Sequence, residues 1–198
     1  MTCQNPSCGQ RSCLVCRHAV ENEDDEKSHR DRCIEYESYK QMVDTAIALG
    51  SQQECPHCQL TGLKDDGCTH MTCGRCGLTW CYLCGKKEEE CLVGEDDEQS
   101  LSSHNNEWEQ HEGRCPQYLT SIQELDDRWP DNDRDCLEFF HRYRTLCQLY
   151  DVLKIIGEDK VNELNDNFGI IDASGYTIEE IKDFESRILI NYSTNQNN

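Results

Sequence analysis

Closely spaced cysteines dominate residues 65–84, which read DDGCTHMTCGRCGLTWCYLC. Four of the five cysteines form the pairs Cys73-x-x-Cys76 and Cys81-x-x-Cys84, a spacing that lets two thiolates converge on one tetrahedral metal ion. The fifth, Cys68, belongs to no such pair, and His70 follows it two residues later. The stretch therefore combines metal-binding cysteines with one cysteine that could act as a nucleophile.

The 16 cysteines of this 198-residue chain could form disulfides or bind metal. Met1 is followed by a polar run without the apolar segment of a signal peptide, and no run of about 18 apolar residues is present to span a membrane. A hydrophobic content of 36% and a mean hydropathy of -0.83 supply little apolar core. We therefore expect zinc, not disulfides, to stabilise the fold, in the reducing cytoplasm or nucleus.

Counting ligands gives two zinc sites in the central region, because a structural zinc takes four protein ligands. Cys55, Cys58, Cys73 and Cys76 complete one site. Cys81 and Cys84 begin a second, which needs two ligands from Cys91, His104, His111 and Cys115. We favour His111 with Cys115 over Cys91 with His104, because an earlier repeat of the same unit ends in the same His-x-x-x-Cys spacing. That repeat consists of Cys13, Cys16, His29 and Cys33, with Cys3 and Cys8 upstream.

Cys68 is left over by this count. The alternatives are that it replaces Cys73 as a ligand or is a buried, inert thiol. Replacement is disfavoured because Cys73 forms a proper pair with Cys76, and inert burial fits poorly with the polar surroundings KDDGCTH. We expect Cys68 to be reactive and His70 to assist it, since a nearby histidine favours the nucleophilic thiolate.

The charge of the chain restricts its partners. The formal net charge is -20, and no cluster of lysine and arginine is large enough to neutralise nucleic-acid phosphates. We therefore expect protein partners and no nucleic acid. The acidic run at residues 86–103 is interpreted as a solvated loop.

Helical periodicity appears on both sides of the central cysteines. One helix is predicted at residues 33–50, with apolar positions at Tyr39, Met42, Ala46 and Leu49 and a capping Gly50. Three more helices are predicted at residues 118–129, 131–156 and 177–191. The last of them begins with a Thr177-x-x-Glu180 capping box. Cys136 and Cys147 are interpreted as small core residues.

The segment CPHC…LKDDGCTHMTCGRCGLTWCYLCG resembles the catalytic RING2 domain of RING-between-RING ubiquitin ligases. The resemblance implies that Cys68 accepts ubiquitin as a thioester, that His70 assists its transfer, and that Cys55, Cys58, Cys73, Cys76, Cys81 and Cys84 bind zinc. Residues 3–33 resemble the second half of the in-between-RING domain. In that domain Cys13, Cys16, His29 and Cys33 would form the second zinc site, and Cys3 with Cys8 half of the first. Such an arrangement is expected of a piece of a longer protein.

One departure from the family pattern concerns the position before the aromatic Trp80. Some members carry an acidic or amide side chain there as a third catalytic group, whereas this chain has Thr79.

The expected fold class is small zinc-stabilised α+β modules, in-between-RING-like and RING2 zinc hairpins, followed by an α-helical C-terminal region. Expected boundaries are 1–33 for the partial in-between-RING-like module, 34–54 for a helical linker, 55–115 for the RING2-like catalytic domain and 116–198 for the helices. The expected function is a RING-between-RING ubiquitin-protein ligase that takes ubiquitin from a ubiquitin-conjugating enzyme and passes it to a protein substrate. The alternative is a non-catalytic zinc module that binds ubiquitin or a partner protein.

Overall fold

The computed structural model of the chain describes residues 2–4, 7–13, 19–20, 23–64, 66–87, 90, 104–111 and 113–183. These residues divide into two compact units. One comprises residues 1–47 with 149–182, and the other residues 48–148 with 183–198. Among the described residues, no helix combines the length and the apolar content needed to cross a lipid bilayer.

Three short antiparallel hairpins make up the β structure. Strands β1 (Arg11–Ser12) and β2 (Ala19–Val20) pair in the first hairpin, and β3 (Gln53–Glu54) and β4 (Thr61–Gly62) in the second. The third pairs β5 (His70–Thr72) with β6 (Thr79–Cys81), so that His70 lies opposite Cys81 and Thr72 opposite Thr79. Strands this short need an external constraint to persist, and paired cysteines stand at the turns of the second and third hairpins.

The helices are α1 (Glu23–Ser51), α2 (Asp133–Ile156), α3 (Glu158–Phe168), α4 (Ile170–Ala173) and α5 (Ile178–Lys182), with a 3-10 helix at Leu119–Glu124. Helix α1 begins earlier than predicted and takes in most of the acidic run before His29. One of the two hydrogen bonds of the predicted capping box is present at the start of α5: the backbone N–H of Glu180 donates to Thr177 Oγ1 at 3.1 Å. Residues 184–191, predicted to extend this helix, lie outside the described part of the chain.

Two details of the predicted helices are corrected. Gly50 does not cap α1; it lies buried inside the helix, where a Cβ atom would meet Thr145. Residues 118–129 do not form one α-helix, and the expected apolar positions Tyr118 and Leu125 are exposed. The 3-10 helix instead buries Leu119 and Ile122, three residues apart, as its three-residue turn requires.

The core of the unit formed by residues 48–148 surrounds the third hairpin. It joins residues from β6, the Cys115 region, the 3-10 helix and α2, namely Trp80, Cys81, Tyr82, Leu83, Cys115, Leu119, Ile122, Trp129, Cys136, Leu137 and Phe140. Cys136 is fully buried and its thiol donates to the Pro130 carbonyl, as a core cysteine does. This unit runs beyond residue 115, where the catalytic domain was expected to end; the four-part division stays a prediction.

Candidate functional site

The first ligand set contains the four predicted cysteines. Cys55, Cys58, Cys73 and Cys76 place their sulfur atoms within 4.8 Å of one another. Cys55 and Cys58 lie in the turn between β3 and β4, and Cys73 and Cys76 in the turn between β5 and β6. The Sγ–Sγ distances are 3.6 Å for Cys55–Cys76 and 3.5 Å for Cys58–Cys73. A tetrahedron with Zn–S bonds of about 2.3 Å has edges of roughly 3.8 Å, so the four thiols fit zinc.

Both turns of this set are built in the same way. The N–H of Gln59 donates to the Cys55 carbonyl at 2.9 Å, and the N–H of Gly77 donates to the Cys73 carbonyl at 2.8 Å. Backbone N–H groups inside the turn also point at the sulfur: those of Cys76 and Arg75 lower the pKa of Cys73 to about 6. A turn that stabilises the thiolate favours metal binding, because the thiolate is the species that binds zinc.

The second ligand set contains Cys81, Cys84, His104 and Cys115, whose ligand atoms also lie within 4.8 Å of one another. His104 and Cys115 are both fully buried. The distance from Cys84 Sγ to His104 Nε2 is 3.5 Å, close to the edge of roughly 3.6 Å expected when one ligand is a nitrogen. Hydrogen bonding from the Cys115 and Cys81 thiols lowers the pKa of Cys84, and the same crowding raises the pKa of Cys115. A zinc ion held by these four residues would take the place of the protons that the three thiols share.

The expected pairing of His111 with Cys115 is corrected by this geometry. His111 is exposed, and its Nε2 lies 3.5 Å from a carboxylate oxygen of Glu107. His104 takes the place beside Cys115, where the N–H of Cys115 donates to the His104 carbonyl at 3.3 Å. Cys91, the other candidate ligand, lies outside the described residues.

A third set forms in the other unit from Cys13, His29 and Cys33, with 3.6 Å between the two sulfur atoms. His29 and Cys33 lie one turn apart on α1, which explains why the His-x-x-x-Cys spacing works there. Cys16, the expected fourth ligand, lies outside the described residues. Cys3 and Cys8 are exposed, and the structure places neither with any of the three sets.

Cys68 belongs to none of these sets and is half-buried. Its N–H donates to Asp66 Oδ1 at 3.0 Å, and its backbone pairs with Tyr118 in an antiparallel bridge. Gly67 allows the close packing of this loop, because a Cβ there would lie 2.3 Å from a carboxylate oxygen of Asp133. The loop is thus fixed at its backbone while the Cys68 thiol stays outside the metal sets.

His70 and Cys68 flank Thr69, where the backbone bends before β5 begins at His70. Thr69 is 1% exposed, whereas Cys68 and His70 are each half-buried. The thiol outside the metal sets and the imidazole are therefore two residues apart in the chain, and neither is sealed in the core.

The ring of His70 has a partner that the sequence did not indicate. Its Nε2 lies within hydrogen-bonding distance of Asn105 Oδ1, 35 residues away. No motif singles out Asn105, and its only signal is its position next to His104. Thr79, the residue before Trp80, lies opposite Thr72 with 3.4 Å between their hydroxyl oxygens, and Trp80 itself is buried in the core.

Comparison with known proteins supports the resemblance seen in the sequence. The family model of the IBR domain matches residues 51–90. E3 ubiquitin-protein ligase RNF19A of Homo sapiens is 28% identical over 97 residues, which cover 44% of this chain and 12% of that protein. E3 ubiquitin-protein ligase RNF217 of Xenopus laevis is 36% identical over 50 residues, 25% of this chain and 18% of that protein.

A further similar protein is E3 ubiquitin-protein ligase RNF19B of Danio rerio, 26% identical over 94 residues, 44% of this chain and 13% of that protein. The chain thus aligns with less than a fifth of the length of each of these relatives. The IBR match falls on the residues whose sequence resembles a RING2 domain. It includes the first ligand set together with Cys81 and Cys84, and an IBR domain with such clusters is a zinc-binding fold.

Proposed function

We propose that the chain, a relative of RING-between-RING ubiquitin ligases, carries out their catalytic step on Cys68. The observation that supports this most directly is that Cys68 alone among the cysteines of residues 55–84 stands outside the metal sets. It is also half-buried, not sealed in the core, and His70, two residues later, is half-buried as well.

The reaction is two acyl transfers. The Cys68 thiolate attacks the carbonyl carbon of the thioester that joins ubiquitin to a ubiquitin-conjugating enzyme; a new C–S bond forms and the enzyme's cysteine leaves as a thiolate. An amine of the protein substrate then attacks the ubiquitin–Cys68 thioester, a C–N bond forms, and Cys68 leaves as a thiolate. His70 takes the proton that the nitrogen loses. Thiol catalysis of this kind divides one difficult transfer into two easier ones.

Zinc takes no part in these transfers and supplies rigidity. Cys55, Cys58, Cys73 and Cys76 would hold one ion, and Cys81, Cys84, His104 and Cys115 another. The two cysteine pairs of the first set flank the segment from Gly67 to Thr72 on the chain, and the second set follows it, so metal binding would fix the loop that carries Cys68. Structural zinc sites contribute folding free energy on the order of 10–16 kcal/mol.

The proposed partners follow from this chemistry: ubiquitin, a conjugating enzyme charged with it, and a protein substrate. The net charge of -20 is compatible with protein partners and disfavours nucleic acid. We also propose the cytoplasm or nucleus as the location, since free thiols and zinc thiolates persist in reducing compartments.

A second candidate function is a non-catalytic zinc module that binds ubiquitin or another protein. The observation that favours it is the IBR match to residues 51–90, because it places a zinc-binding module on the segment assigned to catalysis. Under this alternative Cys68 is a thiol without a catalytic role.

The experiment that separates the two is transfer of ubiquitin to the chain. The zinc-loaded protein is mixed with a conjugating enzyme carrying ubiquitin and, separately, with a small-molecule thioester of ubiquitin that needs no enzyme recruitment. The catalytic proposal expects an adduct on Cys68 that thiol reductant removes; Cys68→Ser gives none, or an adduct that resists reductant. Cys147→Ser, a half-buried cysteine on α2, serves as the matched control and keeps the adduct. Absence of an adduct from both donors favours the binding module.

A further inference from the structure

Asn105 lies between two groups of the candidate site. Its Oδ1 faces His70 Nε2, and its Nδ2 donates a hydrogen bond to the Cys115 carbonyl at 2.7 Å. We propose that Asn105 is a positioning residue that holds His70 in one tautomer for the transfer of ubiquitin from Cys68. This inference rests on the proposed function and adds to it a residue from a distant part of the chain.

The Cys115 carbonyl decides which way the Asn105 amide points. A carbonyl oxygen only accepts hydrogen bonds, so the NH₂ end of the amide must face it. The oxygen end then faces His70, and because that oxygen is also only an acceptor, the hydrogen of the neutral imidazole must sit on Nε2. The other ring nitrogen, Nδ1, is left with a lone pair.

Asn105 is itself held firmly in place. It follows His104, which is fully buried in the second ligand set, and it bonds the backbone of Cys115, which is fully buried in the same set. The orientation of His70 is therefore tied to the second metal site. Thr79 cannot serve this purpose, because it lies opposite Thr72 and not beside His70.

The chemical consequence concerns the second acyl transfer. As the substrate nitrogen bonds to the thioester carbon and Cys68 leaves as a thiolate, that nitrogen gives its proton to His70 Nδ1, from which it passes to solvent. The first transfer, from one thiolate to another, releases no proton from an amine. Loss of Asn105 is therefore expected to slow discharge of ubiquitin from Cys68 and to leave loading nearly unchanged.

The test uses the zinc-loaded full chain and three variants. Asn105→Ala removes both hydrogen bonds. Asn105→Asp keeps an acceptor toward His70 and loses only the donor toward Cys115. Asn106→Ala is the matched control, because Asn106 is the exposed neighbour. Each variant is checked for unchanged zinc content by native mass spectrometry.

The first readout is the tautomer of His70, measured by NMR on protein with 15N-labelled histidine at mildly alkaline pH. We expect a single Nε2–H tautomer in the wild type, Asn105→Asp and Asn106→Ala, and a mixture in Asn105→Ala. An unchanged tautomer in Asn105→Ala overturns the inference. If Asn105→Ala loses zinc, Asn105→Asp decides: a mixture in that variant, at full zinc content, also overturns it.

The second readout is single-turnover kinetics with a small-molecule ubiquitin thioester and then a free amine. We expect Asn105→Ala to load Cys68 within about 2-fold of the wild type and to discharge about 10-fold or more slowly, with rescue by Asn105→Asp, because general-base catalysis contributes roughly 10²- to 10⁴-fold. Equal slowing of both steps contradicts a role in discharge. If the wild type accepts no ubiquitin, the proposed function fails, and the NMR result still decides the role of Asn105.

Discussion

The hydroxyl of Thr69 donates a hydrogen bond to the carbonyl oxygen of Pro116 at 2.7 Å, across 47 residues of chain. The backbone of Thr69 is bonded on both sides as well: its N–H donates to the Gln117 carbonyl at 2.8 Å, and its carbonyl accepts from the N–H of Tyr82 at 2.7 Å. The residue between Cys68 and His70 therefore joins the segment after Cys115 to the end of β6.

Replacing Thr69 by valine tests this connection. Valine has a similar shape but leaves the buried Pro116 carbonyl without the hydroxyl donor, so the free energy of unfolding is expected to fall by about 1–3 kcal/mol. The measurement is denaturant unfolding of the zinc-loaded protein. Thr72→Val is the control, because Thr72 is exposed on β5, which begins directly after Thr69, and its effect is expected to stay within about 0.5 kcal/mol. Equal losses in the two variants would contradict the role given to Thr69.

Zinc content distinguishes the two histidines of the second site. His104→Ala removes a buried ligand and is expected to lose one zinc ion and to unfold much of the unit that contains it. His111→Ala changes an exposed side chain and is expected to keep the full zinc content. Native mass spectrometry of both variants gives the answer directly. The opposite result, zinc lost from His111→Ala alone, would restore the assignment made from the sequence.

Cys68→Ser belongs in the same experiment. Because Cys68 lies outside every ligand set, the variant is expected to keep the wild-type zinc content, whereas Cys73→Ser is expected to lose an ion. Loss of zinc from Cys68→Ser would show that the Cys68 sulfur is a zinc ligand, and this result would contradict the catalytic proposal.

The ligand sets illustrate how far the sequence can be taken. The first set could be predicted in full, because two Cys-x-x-Cys turns impose their geometry locally. His104 could not, because the residues between Cys84 and His104 set no distance between the two. The repeat misled the assignment of His111: His29 and Cys33 meet on one face of α1, while His111 and the described residues 113–115 are not helical, and the same spacing does not bring the side chains of His111 and Cys115 together.

Long-range packing contacts could not be predicted from the sequence either. Asn105 has no motif, and its contact with His70 depends on the fold of the chain after Cys84. Gly50 looked like a helix cap because glycine is common there, but its position is set by Thr145, a residue distant in sequence. In both cases the deciding partner lies on another element.

Gly50→Ala is predicted to lower the stability of the protein, the opposite of its usual effect in a helix. In an open helix this change stabilises by up to about 1 kcal/mol. Here the new Cβ would lie 1.8 Å from Thr145 Oγ1 and 2.6 Å from Thr145 Cα, so backbone must shift. We expect a loss of about 1–3 kcal/mol in the free energy of unfolding. Gly74→Ala is the control, because nothing lies within 4 Å of the Cβ that it would add, and it is expected to be nearly neutral. A Gly50→Ala protein that is more stable than the wild type would show that α1 and α2 are less close at this point.

His141 on α2 makes stability depend on pH. Its Nε2 lies 3.1 Å from the Tyr82 hydroxyl, within hydrogen-bonding distance, and burial, together with the nearby charge of Arg144, lowers its pKa below the usual 6.5. Between its folded pKa and about 6.5, the unfolded chain binds more protons at this residue than the folded protein does. The contribution of His141 to stability is therefore complete above about pH 6.5 and is lost as the pH falls through the folded pKa, with a slope of at most about 1.4 kcal/mol per pH unit.

His141→Gln isolates this contribution, because the glutamine amide can hydrogen-bond with the Tyr82 hydroxyl as donor or acceptor and does not titrate. Denaturant unfolding of the zinc-loaded wild type and variant is compared from neutral pH down through the folded pKa. Protonation of the zinc ligands affects both proteins alike, so the difference between their free energies of unfolding reports His141. As the pH falls, the free energy of unfolding is expected to decrease more for the wild type than for His141→Gln. Parallel curves would mean that His141 has the same pKa in the folded and unfolded states.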